Sequence, residues 1–67
     1  MTAIPKNRHM NLRVFNHIKE NGSQTRADLR RAFMVHGDNK IRLSINELIH
    51  FNHITERDGR LEVVNGN

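Results

Sequence analysis

The chain has 67 residues, no cysteine, and 11 Lys and Arg against 7 Asp and Glu, which gives a formal net charge of +4. This length predicts one domain near the lower limit for a stable core, and without cysteine it has neither disulfides nor thiolate zinc ligands. No apolar run is long enough for a signal peptide or a membrane span, so we expect a cytoplasmic protein. The basic excess favours a polyanionic partner, although extra positive charge also serves solubility alone.

The N-terminal part of the chain changes character at His9. Residues 1–8 contain the only proline and no apolar periodicity, so we predict a flexible arm. From His9 onward, apolar residues recur mostly every fourth position and predict a first helix that ends near Asn21 and Gly22. The apolar positions of this helix are Met10, Val14, Phe15 and Ile18.

Two more helices are predicted in the middle of the chain. Thr25 is a good N-cap for the second helix, and Asp28 lies near the positive end of that helix. Its predicted inward residues are Leu29, Ala32 and Phe33. The third helix is predicted from about Asn39 to Phe51, with an apolar stripe of Ile41, Ile45 and Leu48. It ends at Asn52, a residue that tolerates the left-handed conformation at a helix C-terminus.

The C-terminal segment has the pattern of a β-hairpin. The apolar period changes from about 3.6 to 2, and Asp58-Gly59 is a favoured two-residue turn because both positions need a positive φ. This turn sets Arg57 opposite Arg60, where like charges repel. The side chains predicted to cover the helices are Ile54, Leu61 and Val63.

Three helices followed by a hairpin resemble the winged helix-turn-helix family. The closest likeness is the run IRLSINELIHFNHITERDGRLEVV from Ile41 to Val64, although Asn52 stands where the family usually has glycine. The predicted α+β domain covers residues 9–64, and residues 65–67 are predicted to be a frayed C-terminus. The resemblance implies that the third helix lies in the major groove of DNA and that the hairpin, or wing, touches the backbone.

The outward side of the third helix is a mixed surface that can read bases. Arg42 can pair with guanine, Asn46 with adenine, and Leu43 can meet a thymine methyl group, with about 1 to 3 kcal/mol of discrimination for each polar pair. Glu47 opposes phosphate unless it accepts from cytosine. The residues predicted to face DNA from this helix are Asn39, Lys40, Arg42, Leu43, Asn46 and Glu47. A solvated helix face is the alternative for each of them.

Other cationic side chains are predicted to contact the DNA backbone. They are Arg57 and Arg60 on the wing, Lys6 and Arg8 on the arm, and Arg26, Arg30 and Arg31 on the second helix. A phosphate between Arg57 and Arg60 would relieve their repulsion, so Arg60→Thr is expected to stabilise the free hairpin slightly and to weaken DNA binding. The alternative for each of these cationic side chains is that it is exposed to water and binds no phosphate.

Catalytic and metal chemistry are not expected. His50 and His53 are three residues apart, but zinc would also require Glu47 and Glu56 to converge on them from a helix and a strand. The chain has no cysteine nucleophile, no glycine-rich phosphate loop and little room for a closed pocket. We therefore expect neither an enzyme nor a bound cofactor or metal.

Two functional hypotheses follow. The first is a small transcriptional regulator of bacterial or phage type that binds double-stranded DNA as a homodimer or as adjacent copies, because one such domain reads few base pairs. Its candidate dimer residues are Leu12, Ile49 and Phe51, with partial burial in the core as the alternative, favoured for Phe51. The second is an inhibitor or adaptor that presents Leu43 and its neighbours to another protein. Neither involves a membrane.

Overall fold

The computed structural model describes residues 8–64, which form three helices and a three-stranded antiparallel sheet. The helices are α1 (Arg8–Asn21), α2 (Arg26–Ala32) and α3 (Asp38–His50), and the strands are β1 (Gln24–Thr25), β2 (Ile54–Arg57) and β3 (Arg60–Val63). A 3-10 turn, Met34–His36, connects α2 to α3. The predicted α+β class, with three helices and a C-terminal hairpin, is confirmed. The backbone contact predicted for Lys6 and the predicted frayed end at 65–67 lie outside the described residues.

Helix α1 begins at Arg8, so the structure places this residue on the helix rather than on the predicted arm. The reason is that the buried Met10 belongs to the first turn, which extends back to Arg8. The helix ends as predicted at Asn21, where the Gly22 amide donates to the Ile18 carbonyl at 2.9 Å.

Helix α2 begins with a complete capping box. The Thr25 hydroxyl accepts a hydrogen bond from the Asp28 amide at 3.0 Å, and the Asp28 carboxylate accepts one from the Thr25 amide at 3.1 Å. The predicted N-cap is therefore confirmed. Ala32 is exposed, however, and its predicted inward position is wrong. Leu29 and Phe33, four residues apart, form the inward stripe and leave Ala32 at the solvent edge.

Helix α3 starts and ends one residue earlier than predicted. Its buried side chains are Ile41, Ser44, Ile45 and Leu48, so the predicted apolar stripe is confirmed with a buried serine added. Asn52 has the predicted left-handed conformation, with a φ of 64°. The next amide, of His53, donates to the Leu48 carbonyl at 2.8 Å and closes the end of the helix.

The sheet has the order β1-β3-β2, so β3 is its central strand. The register of β2 and β3 pairs Arg57 with Arg60, as predicted. The turn residues Asp58 and Gly59 have φ values of 53° and 76°, which a two-residue turn of this kind requires. The pairing of β1 with β3 was not predicted, because a two-residue strand is too short to show an alternating pattern.

All three helices and the hairpin contribute to one core. Its buried apolar side chains are Met10, Val14, Ile18, Leu29, Ile41, Ile45, Leu48, Ile54 and Leu61. Val63 packs partly against them, so the predicted inner face of the hairpin is confirmed. Phe51 is 53% exposed, and the partial burial predicted for it is wrong. It follows the last turn of α3, where Leu48 already fills the core position.

Candidate nucleic-acid interface

The outer side of α3 carries one row of exposed side chains. Asn39, Leu43, Asn46 and His50 are spaced by three or four residues, which places them on one side of an α-helix. All four are exposed, and Leu43, with 51% of its surface accessible, faces outward as expected. We call these residues the α3 row. It lies opposite the buried stripe and is the part of α3 that a partner can approach.

Glu47 is turned away from the α3 row. Its carboxylate accepts a hydrogen bond from the Asn11 side-chain amide at 2.8 Å. The side-chain oxygen of Asn11 in turn accepts a hydrogen bond from the hydroxyl of Ser44, the buried polar residue of α3. These bonds fix α3 against α1, because each satisfies a polar group at the helix contact. The geometry therefore argues against the DNA contact predicted for Glu47.

Lys40 and Arg42 flank the α3 row on opposite sides. Lys40 is exposed. The Arg42 guanidinium donates to the side-chain oxygen of Asn39 at 3.2 Å and lines a groove between α3 and α2. Arg42 therefore lies at the border between the α3 row and α2, rather than at the centre of the row.

This groove between α2 and α3 has a volume of about 250 Å³. Its wall carries three arginines and one aspartate, and two buried side chains of α3 complete its lining. The lining residues are Arg26, Arg30, Asp38, Ile41, Arg42 and Ile45. We call it the basic groove. The structure thus brings together two arginines predicted to contact the DNA backbone and one predicted to contact bases.

Arg26 is held at the groove by the carboxylate of Glu56 on β2. The guanidinium donates through Nε and Nη2 to the two carboxylate oxygens, each at 3.0 Å. These bonds raise the pKa of Arg26 and lower the pKa of Glu56. Within residues 8–64 this is the one ion pair, so inside that range Arg30 and Arg42 have no carboxylate at ion-pair distance.

Arg30 and Arg31 are neighbours in sequence but lie in different surroundings. Arg30 is one helical turn after Arg26 and lines the basic groove with it. Arg31 is three residues after Asp28 and close enough to it to contribute to the lowered pKa of that carboxylate, whose main cause is the hydrogen bond from the Thr25 amide. The backbone arginines predicted on α2 are therefore split between two sides of the helix.

The two arginines of the hairpin also lie in different surroundings. Arg60 donates through Nε to the Ser23 hydroxyl and through Nη2 to the Ser23 carbonyl, both at 2.9 Å. Its guanidinium is therefore directed along the β1 side of the sheet, while Arg57 is exposed on the edge strand β2. The register of the predicted pair is right, and the Arg60 guanidinium has two hydrogen-bond acceptors in Ser23.

A second groove, of about 440 Å³, is mainly apolar and lies between α1 and the end of α3. Its lining residues are Arg8, Asn11, Leu12, Phe15, Leu48, Phe51 and His53. Two of the candidate dimer residues, Leu12 and Phe51, are thus brought together, and both are about half exposed. Ile49, the third candidate, instead packs partly against the core. The apolar groove shares no lining residue with the basic groove.

The carboxylates considered for a zinc site are occupied by other partners. Glu47 bonds to Asn11, and Glu56 bonds to Arg26. Residues 8–64 contain no group of three or more His, Asp or Glu side chains arranged to hold a metal ion. Over the same residues, no helix has the length and apolar character needed to cross a membrane.

Similarity to known proteins does not identify a family for this chain. No protein-family model, curated protein or solved structure matches it. Function is therefore inferred from the residues themselves, and above all from the α3 row and the basic groove beside it.

Proposed function

We propose that this chain is a small winged helix-turn-helix regulator that binds double-stranded DNA. The observation that carries the proposal is the position of Arg42 at the border of two surfaces. On one side is the exposed α3 row, and on the other is a groove that adds Arg26 and Arg30. A helix that presents polar side chains outward, with cations beside it, suits a major groove flanked by phosphates.

In this proposal the α3 row reads bases and the surrounding cations position the domain. Asn46 has the donor and acceptor that adenine matches, and Leu43 supplies an apolar contact for a thymine methyl group. Lys40 at the flank of the row and Arg57 on the exposed edge of the hairpin contact the backbone. Arg60 has less freedom to do so, because Ser23 already accepts two of its hydrogen bonds.

A salt titration of binding to generic duplex DNA tests the proposal. If several cationic sites each neutralise a phosphate, the logarithm of the affinity falls linearly with the logarithm of the salt concentration, by about 0.9 for each phosphate contacted. We expect a slope of about 3, from one phosphate each at the basic groove, at Lys40 and at Arg57. Binding that is absent at low salt, or that does not depend on salt, contradicts the proposal.

A protein partner is the second candidate function, and exposed apolar side chains favour it. Leu43 is half exposed in the α3 row, and Met34 and Val35, in the turn that precedes α3, are 71% and 91% exposed. Exposed apolar side chains that form one patch mark contact surfaces for other proteins. If this candidate is right, Leu43 is buried against the protein partner, and the affinity of that complex changes little with salt. The titration with duplex DNA then shows no salt-dependent binding.

A homodimer is the assembly that the DNA proposal favours. One domain of this size covers few base pairs, and two copies on adjacent half-sites multiply both affinity and specificity. The apolar groove offers Leu12 and Phe51 as a contact between copies, and its separation from the basic groove allows both surfaces to be used together.

A further inference from the structure

We infer that the basic groove is a binding site for one phosphodiester, with Arg26, Arg30 and Arg42 as its hydrogen-bond donors. This inference rests on the proposed function and makes it more specific, since it names the part of DNA that this surface binds. It also assigns Arg42 to the backbone instead of a base.

The charge of the groove matches a phosphodiester. Its three arginines are partly offset by Asp38, which lines the groove, and by Glu56, which is paired with Arg26. One net positive charge remains, equal and opposite to the single charge of a backbone phosphate. A more highly charged anion, such as a nucleoside triphosphate, would leave negative charge uncompensated there.

The size and lining of the groove also suit a small anionic group. A volume of about 250 Å³ lies below the roughly 300 to 1,000 Å³ of small-molecule pockets. Ile41 and Ile45, both buried in the core, form the apolar part of the lining. Hydrogen bonds from arginine to phosphate are stronger where apolar surface excludes part of the water.

The arginines are placed to donate from two helices. Glu56 engages Nε and Nη2 of Arg26, which leaves Nη1 and the second hydrogen of Nη2 for another acceptor. Arg42 is oriented by its bond to Asn39, and Arg30 is exposed one turn beyond Arg26. Pre-oriented guanidinium groups lose less side-chain entropy when they bind.

Arg30 and Arg31 provide a matched comparison for the test. Each is an exposed arginine of α2, and alanine favours the helix at both positions. We expect Arg30→Ala to lower duplex affinity about tenfold at 0.1 M salt and to reduce the salt slope by about 0.9. Arg31→Ala is expected to lower it less than about twofold, because Arg31 lies outside the groove and beside Asp28.

Arg42→Ala separates a phosphate contact from a base contact. We expect it to weaken binding to all duplex sequences by the same factor as Arg30→Ala. Equal losses for Arg30→Ala and Arg31→Ala overturn the inference, and so does a loss for Arg42→Ala that depends on base sequence. Melting temperatures of the three variants verify that each one is folded.

A titration with dimethyl phosphate, a phosphodiester with a single negative charge, tests the site separately from the proposed function. The side-chain NεH signals of Arg30 and Arg42 in nitrogen-15 NMR spectra are expected to shift and then saturate. The Arg31 signal is expected to shift no more than it does in a control titration with chloride. Saturation in a protein that does not bind duplex DNA refutes the proposed function and supports the site. Steep, salt-dependent DNA binding without any selective shift of these signals supports the function and overturns the site.

Discussion

At the scale of single residues, Arg60 connects the hairpin to another part of the fold. It faces Arg57 across the β2–β3 ladder, yet its guanidinium makes two hydrogen bonds to Ser23. Those bonds connect the central strand to the segment before α2. Arg60 lies opposite another arginine, where its charge is unfavourable. It nevertheless joins two parts of the fold through its bonds to Ser23.

Arg60→Thr is therefore expected to destabilise the free protein. The variant loses both bonds to Ser23, which we expect to lower the free energy of unfolding by up to about 1 kcal/mol because the side chain is exposed. A loss of about 1 kcal/mol lowers the melting temperature of a domain of this size by about 4 to 8 °C. This is the opposite of what the charge repulsion alone predicts. Thermal melting followed by circular dichroism measures the change.

Arg57→Thr is the matched control for that measurement. It places the same residue on the neighbouring strand, where Arg57 is exposed. We expect the free energy of unfolding to change by no more than about 0.5 kcal/mol. If Arg60→Thr instead melts at the same temperature as the original protein or higher, the bonds to Ser23 do not hold the hairpin in solution.

Several single-residue roles could be predicted from the sequence and several could not. Thr25, Asn52 and the Asp58-Gly59 turn follow from local backbone chemistry, which a short segment determines by itself. The partner of Glu47 is 36 residues away, so its turn toward Asn11 depends on how α1 and α3 pack. Contacts of that kind leave no periodic signal in the sequence.

At the level of elements, α2 and the hairpin are connected through ionised groups. Arg26 holds the pKa of Glu56 below its ordinary value of 4.5, and the Thr25 amide holds the pKa of Asp28 below its ordinary value of 3.8. A carboxylate whose pKa is lowered by folding stabilises the fold fully above its unfolded-state pKa. That stabilisation is lost as the pH falls through the folded-state pKa.

We therefore expect the melting temperature to decrease as the pH falls below about 4.5. Glu56→Gln is expected to show a smaller decrease than the original protein, because a neutral amide has no proton to gain. Arg26→Ala removes the other half of the pair and should reduce the acid sensitivity in the same way. An undiminished decrease in both variants means that the pair contributes nothing to the acid response.

The elements themselves were predictable where the apolar pattern extends over several helical turns. Helix α1 has 14 residues and α3 has 13, and each carries three apolar anchors on one face that packing then buries. Helix α2 has only 7 residues, so the position of Ala32 could not be decided from so few turns. The basic groove was not predictable as a site, since it depends on how α2 packs against α3.

On the scale of the whole molecule, the basic groove and the apolar groove lie on separate parts of the surface. The basic groove and the α3 row lie together on α2 and α3, and the apolar groove lies between α1 and the end of α3. Because no lining residue is shared, a substitution in one groove can leave the other intact. The proposed self-association and the proposed DNA binding are therefore expected to be separable by mutation.

Leu12→Glu is expected to separate them. A carboxylate in the apolar groove would be desolvated by a second copy, so the variant should sediment as a monomer at concentrations where the original protein dimerises. Its affinity for a single half-site should stay the same, while its affinity for a paired site falls. Val35→Glu, another exposed apolar residue changed to the same charge but outside the apolar groove, should leave sedimentation unchanged. If the original protein is a monomer both free and on a paired site, the apolar groove is not a contact between copies.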